Sequence, residues 1–454
     1  MHHSFKQSPR SDPLKWLAVG STLLCFSLAA RPMDLLQAYQ AAQINDATIL
    51  ASRATAVAER ERLPQAKAQL FPNLSANLSR NRNHLESTSP NFLGVDQTTN
   101  TSYPSNNKTL TLRQPVFRKQ LMAQYRQATA QVEDAEAVLA VEEQNLAVRV
   151  SGAYFEAMLT HDQLALVLAQ QKAYTEQLDA ARKTFATGSG TRTDVDEAQA
   201  RLDMNLAQEI EARQNVAYTL QQLQTLVNQP IDKLATLNVK SLALLEPQPN
   251  RLQDWIDRAE LNNPQIQSLK ARVEIARQET EKARSGHYPT LDAIAQWTDS
   301  DSESVTNTKQ RYVNKSVGVQ LNIPLFAGGY VSSQVRQTLA GLERAEQLLE
   351  AGRRDFGLRV SKEFRGVTDN IPKIKALEQA LRSADQMVLS SQKSFQAGSR
   401  TVLDISNAEQ QRMVVQRDLA QTRYLYLISK IGLLALVGGA DFDAVAAVNR
   451  DLQD

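Results

Sequence analysis

Three kinds of residue in this 454-residue chain could do chemistry. Ser390-Ser391-Gln392-Lys393 has the Ser-x-x-Lys spacing in which a lysine activates a serine nucleophile. It falls within a helical heptad run, so the match is read as chance. Gly188-Ser189-Gly190-Thr191 has the glycines and hydroxyls of a phosphate-cradling loop but not its lysine. The histidines, at 2, 3, 84, 161 and 287, form no pair at metal-ligand spacing. No catalytic residue, cofactor or metal site is therefore expected. Two carboxylates are placed alike, Asp194 and Asp404, each six residues after a glycine, where a side chain would face the positive end of the helix it opens.

Each carboxylate belongs to a turn that the chain writes twice, FATGSGTRTDVDEAQ (Phe185 to Gln199) and FQAGSRTVLDISNAEQ (Phe395 to Gln410). Other echoes follow the same order. Asn45-Asp46 opens a helical pattern ending in FPNL (Phe71 to Leu74), and Asn262-Asn263-Pro264 opens one ending in YPTL (Tyr288 to Leu291). QPVF (Gln114 to Phe117) answers to IPLF (Ile323 to Phe326), and RVSGAYF (Arg149 to Phe155) to RVSKEFR (Arg359 to Arg365). Four ordered echoes imply a tandem duplication. The first repeat spans 31–245, with strands over about 73–82 and 108–116 and helices over about 119–187 and 193–227. The second spans 246–440, with strands over about 290–298 and 312–324 and helices over about 328–396 and 402–437. A tail over 441–454 follows.

Net charge is +2 with both signs interspersed, which removes the footprint of a nucleic-acid binder. Lys6, Arg10 and Lys15 precede the apolar run Trp16 to Ala30, read as a signal peptide over 1–30 with cleavage after Ala29 or Ala30. Leu24 before the single Cys25 argues against lipidation, and removal of the signal would leave no cysteine, as suits the periplasm. The most apolar later run, Tyr424 to Gly438, is too short to cross a bilayer as a helix and contains Lys430. The mature chain is thus soluble or crosses a membrane as a closed barrel.

A coiled-coil seam runs through Val150, Ala153, Ala157, Leu164, Val167, Tyr174, Leu178, Ala181 and Phe185, interrupted by Thr160 and Gln171. Val360, Val367, Ile374, Leu377, Leu381, Ala384, Val388 and Phe395 continue the register in the second half, with Pro372 placed to kink or break that helix. Helices of this length, on the order of 100 Å, serve no compact domain. Apolar residues alternate with polar ones at Leu74, Ala76 and Leu78; at Leu110 and Leu112; at Leu291, Ala293, Ala295 and Trp297; and at Val317, Val319, Leu321 and Ile323. This suits a membrane barrel, though an amphipathic hairpin on a soluble core would alternate likewise. The segments between paired strands, 82–108 and 299–310, are read as polar loops. Four strands cannot close a barrel when the smallest use about eight, so several copies must associate.

In these pieces, and in the closing RYLYLISKIGLLALVG (Arg423 to Gly438), the chain resembles the TolC family of outer-membrane exit ducts over nearly its whole mature length. The resemblance implies an α+β membrane protein: a homotrimer with a 12-stranded β-barrel in outer-membrane lipid, continuous with a periplasmic α-barrel. It implies partners too, a membrane-fusion adaptor and an inner-membrane ABC or proton-driven transporter. The duplicated turns would be hairpin tips meeting the adaptor through Gly188, Ser189, Gly190, Thr191, Gly398, Ser399, Arg400 and Thr401. Of the family's two gating acidic residues one helical turn apart, the first matches Asp404 and the second is Asn407 here. Arg400 matches a basic residue that latches the second hairpin to the pair Thr193-Asp194. Phe395 stands where a tyrosine often shares that latch, so one hydrogen bond is missing. An exit duct for type I protein secretion is the function expected, with a multidrug-efflux duct or a soluble periplasmic coiled-coil scaffold as alternatives.

Overall fold

The computed structural model describes residues 32–239, 242–302 and 310–453; the signal segment expected over 1–30 lies outside them. Helices α1 (Leu35–Asn45), α2 (Ala47–Arg60) and α3 (Arg62–Ala68) lead into a hairpin of β1 (Asn73–Pro90) and β2 (Asp96–Phe117). From there α4 (Lys119–Ala186) and α5 (Arg192–Val227) run out and back. After a short β3 (Thr236–Leu237) the second half repeats the plan: α6 (Leu252–Asn262), α7 (Pro264–Arg284), β4 (Thr290–Ser302), β5 (Gln310–Asn322), α8 (Tyr330–Thr368), α9 (Asn370–Gln396) and α10 (Val402–Leu436). The tail is a helix, α11 (Phe442–Asn449), and a strand, β6 (Leu452–Gln453), paired with β3.

The duplication is visible in local chemistry. The side-chain amide of Asn45 donates to the carbonyl of Val227 at the end of α5 (3.1 Å), and that of Asn263 donates to Leu436 at the end of α10 (2.8 Å). Each thereby supplies a partner to a carbonyl that a helix C-terminus leaves open. Asp46 and Asn263 also cap α2 and α7, accepting from the backbone N–H of Thr48 and Gln265.

Helix α4 has 68 residues and so extends about 100 Å. Its seam packs on α5, α7 and α10, with Val150, Tyr174, Leu178 and Ala181 buried. The seam's two interruptions carry polar pairs to α5: Thr160 and Thr219 hydroxyls lie 2.8 Å apart, and Gln171 donates to Glu209 (2.8 Å). Both groups of each pair are satisfied, so the polar seam positions avoid the cost of orphaned buried groups. Midway along α4 the main core gathers, with Tyr154, Phe155, Tyr426 and Leu427 fully buried and the ring of Tyr424 stacked on Phe155.

The structure differs from the sequence reading in two ways. The strands expected to stop at 82 and start at 108 run to Pro90 and from Asp96, so most of the supposed loop is a paired ribbon. Antiparallel backbone bonds do not require apolar side chains, and polar cross-strand pairs such as Thr88–Thr98 (2.8 Å) and His84–Ser102 (2.9 Å) line it. Likewise β4 continues to Ser302. The helix expected over 328–396 divides at Asp369 into α8 and α9. Pro372 is the third residue of α9, where its missing N–H costs little, and Asn370 bonds back to the carbonyl of Gly366 (2.7 Å).

Arg149 holds α2 on α4: its guanidinium bonds the buried Asp46 (2.9 Å) and also Glu142. Burial pushes the Asp46 pKa up, but hydrogen bonds from Arg149 and Thr48 outweigh it and hold the carboxyl below its ordinary value. A depressed carboxylate stabilises the fold above its unfolded pKa and loses that contribution as pH falls through the folded value. Arg149→Met should therefore cost about 2 kcal/mol at neutral pH by stranding a buried carboxylate. The difference from wild type should shrink towards pH 3, read as the midpoint of chemical denaturation followed by helical circular dichroism. An unchanged midpoint at neutral pH would contradict this role.

Candidate functional site

Two regions carry function-bearing geometry, a four-stranded wall at one end and paired helical tips at the other. The wall has strand order β1-β2-β4-β5, all antiparallel. Its register aligns the four apolar rows on one face: Leu74, Leu112, Ala295 and Val317 lie in one line across the strands, and Ala76, Leu110, Trp297 and Lys315 in the next. Leu74 is 70% exposed, Leu78 74%, Val317 89% and Val319 74%. The opposite face is polar, with Ser75, Thr111, Gln296 and Ser316 in one line and Asn77, Thr109, Thr298 and Asn314 in another. Exposed aromatic residues, Phe71, Phe117, Tyr288 and Phe326, gather where strands meet helices, as at a membrane interface. There Arg118, just before α4, is bonded to the buried Asp292 of β4, and the Lys119 ammonium sits 4.0 Å over the Tyr288 ring.

At the far end, α4 turns into α5 and α9 into α10 through two matching loops. Gly188 and Gly398 have φ of +74° and +72°, the left-handed conformation that closes a helix C-terminus. The Ser189 N–H bonds the Thr184 carbonyl (3.0 Å), and the Ser399 N–H bonds the Ser394 carbonyl (2.9 Å). Among the differences between the two turns, Gly190, where a Cβ would lie 2.8 Å from the Thr184 hydroxyl, corresponds to Arg400, and Thr184 to Ser394.

Thr191 and Thr401 then cap α5 and α10, each in a reciprocal box with an aspartate. Asp194 accepts from the Thr191 N–H (2.9 Å) and hydroxyl (2.7 Å); Asp404 accepts from the same groups of Thr401 (2.9 Å each). These bonds hold both carboxyls below their ordinary pKa. In a single chain, then, both aspartates are helix-start residues. Arg400 donates to the Ser391 hydroxyl (2.9 Å) and not to Thr193 or Asp194 of the same chain. Phe395 is half-buried, while Thr193 and Asn407 are exposed.

Sequence reasoning missed the polar ties between the hairpins. Ser406 at the start of α10 donates to the Gln177 side-chain carbonyl on α4 (2.7 Å), and the same Gln177 donates to Glu409 (2.8 Å). Farther along the pair, the Tyr424 hydroxyl donates to Asp162 (2.6 Å). Burial pushes the carboxyls of Glu409 and Asp162 up. No heptad position flags Gln177 or Glu409; the one available signal was a small polar residue, Ser406, followed by Ala408 on the face that becomes buried.

Comparison with known proteins fits this layout. Residues 38–229 and 255–439 match a family model described as outer membrane efflux protein, one stretch in each repeat. The chain is 33% identical over 438 residues to the alkaline protease secretion protein AprF of Pseudomonas aeruginosa, covering 96% of this chain and 91% of that protein. It is 30% identical over 412 residues to the proteases secretion protein PrtF of Dickeya chrysanthemi, covering 90% and 89%. Among solved structures, the Campylobacter jejuni CmeC outer membrane channel matches with a TM-score of 0.75 at 14% identity, over 92% of this chain and 90% of that one. That last likeness speaks for fold alone.

Glu409 makes the tie between hairpins sensitive to pH. With a pKa raised by burial, it favours the packed arrangement fully below its ordinary value and less as pH rises through the raised one. Amide exchange over 402–412, corrected for intrinsic rates, should slow as pH falls from about 7 towards 4. Glu409→Gln should abolish that change. The same pH dependence in the variant would assign it to another group.

Proposed function

Since this chain belongs to the outer membrane efflux protein family, the TolC-like channels of the outer membrane, and so is no enzyme, we propose that it is the exit duct of a type I protein-secretion system. The observation that carries the duct reading is continuity. One chain joins a wall with a lipid-compatible face to a helix about 100 Å long, through the junction at Arg118 and Asp292. Three copies would close a twelve-stranded barrel around the polar faces of their sheets. The long helices would close a second cylinder beneath it and carry the tips through the periplasm.

Protein cargo is inferred from the two relatives whose names state protease secretion and whose likeness runs nearly end to end. An efflux duct for small molecules is the second reading, favoured by the family's own description. A soluble scaffold is set aside, because it would hold Leu74, Leu78, Val317 and Val319 in water. In this reading the tips, Gly188 to Thr191 and Gly398 to Thr401, meet a periplasmic adaptor that docks the duct on an inner-membrane transporter.

The gate is placed at the second tip. Asp404 copies around the three-fold axis would form one acidic ring, while Asn407 leaves the ring one turn further neutral. Asp194 and Thr193 of a neighbouring chain would receive Arg400, and Phe395 would pack in that latch without a hydroxyl. Planar-bilayer recordings test this. Wild type should be a small cation-selective pore; Asp404→Ala should lower its selectivity and Arg400→Ser raise its conductance. Asp194→Ala, which removes the latch partner on the first tip but not the acidic ring, should raise conductance as Arg400→Ser does and leave selectivity unchanged. A pore indifferent to both second-tip changes would remove the gate assignment and leave the duct.

A further inference from the structure

Beyond the apolar band, on the same face and away from the helices, the wall becomes basic. The next lines across the strands read Leu78, Lys108, Asp299 and Val313; Arg80, Asn106, Asp301 and Arg311; and then Arg82 with Pro104. Lys315 stands beside Trp297 at the edge of the band. Up to Arg82, five basic residues thus share this face with two acidic ones, and the acidic Glu86 and Asp96 follow only further out along the ribbon. Arg311 is committed to the buried Asp299 through two hydrogen bonds of 3.0 Å. Arg80, Arg82, Lys108 and Lys315 form no ion pair among the described residues, and all four are exposed. A role as a solvated rim does not account for the asymmetry. A rim that only needs water is served equally by either charge, whereas in the lines next to the apolar band the unpaired charges are all positive but for Asp301.

We propose that this belt binds phosphate-bearing lipid headgroups in the outer leaflet, so that the duct carries a ring of anionic lipid around its wall. The proposal rests on the duct reading, which sets the apolar band in the bilayer and the helices on its periplasmic side. Position supports it. A residue two places beyond the last apolar line lies about 7 Å further along the strand, which is headgroup depth, and Trp297 marks the interface. The chemistry fits as well. Arginine presents a planar fork to phosphate oxygens and lysine a mobile point charge. Two strand spacings and one line separate Lys108 from Lys315, about 12 Å, so a single chain could engage two phosphates at once.

The test uses the full chain, reconstituted in phosphatidylcholine nanodiscs and titrated with a diphosphorylated glycolipid or its dephosphorylated counterpart, bound lipid being counted by native mass spectrometry. Wild type should prefer the diphosphorylated form, and Arg80→Gln/Lys108→Gln/Lys315→Gln should weaken that binding about fivefold per charge removed, on the order of a hundredfold in all. Asp301→Asn should strengthen it. Single-channel conductance should be the same in all three. Equal binding of the two lipids by a protein that inserts and conducts would overturn the belt while leaving the duct intact. Displacement of the glycolipid by millimolar inorganic phosphate would mean a free-anion site and overturn the lipid assignment. Failure to insert would overturn the duct reading, and the belt with it.

Discussion

A sheet that exposes an apolar face to lipid cannot also leave backbone N–H and C=O groups open at its edges, because the hydrocarbon offers them no partner. This chain presents four strands with such a face, and β1 and β5 each have one edge that no described strand covers. The edges must therefore be closed by further copies of the same sheet. Association follows from the backbone, and the remaining architecture can be read as what an assembled wall of this kind requires beneath it.

The duplication meets that requirement economically. Each repeat delivers one hairpin to the wall and one helical hairpin to the column, with an asparagine amide closing the end of α5 in one half and of α10 in the other. The helices are held by an apolar seam with polar pairs set in it, such as Thr160 with Thr219, whose hydroxyls satisfy each other. Pairs of this kind contribute little to stability but penalise a slipped register, which would leave a buried hydroxyl without a partner. At the tips, capping boxes fix the start of each returning helix, so the loops present a defined surface although each loop is short.

Much of this was legible in the residues. The ordered echoes gave the repeat, the glycines gave the turns, and three- and four-residue spacing gave the seam. The strand ends were not legible, since apolar alternation stops where lipid stops while the hydrogen-bonded ladder of β1 and β2 continues in water to Pro90 and Asp96. Pro372 signalled the break in the second long helix, but the backbone divides three residues earlier, at Asp369, because a proline is tolerated in a helix's first turn. The tie from Gln177 to Ser406 and Glu409 was hidden because it joins residues more than 200 positions apart with no periodic signature. Asp194 and Asp404 stood out in the sequence, but their hydrogen bonds within one chain are those of caps, and any gating role belongs to the assembly.

Closure of the wall by identical copies is the central claim, and edge-to-edge crosslinking tests it most directly. In a Cys25→Ser background, which removes the chain's only cysteine, Ala76→Cys on β1 would be combined in turn with Val317→Cys, Val319→Cys or Leu321→Cys on β5. After mild oxidation in membranes, one of these pairs should give a covalent species of three chains and nothing larger, since a closed ring has no free edge. Chains that stay single in every pairing, or a ladder that extends past three, would contradict the account.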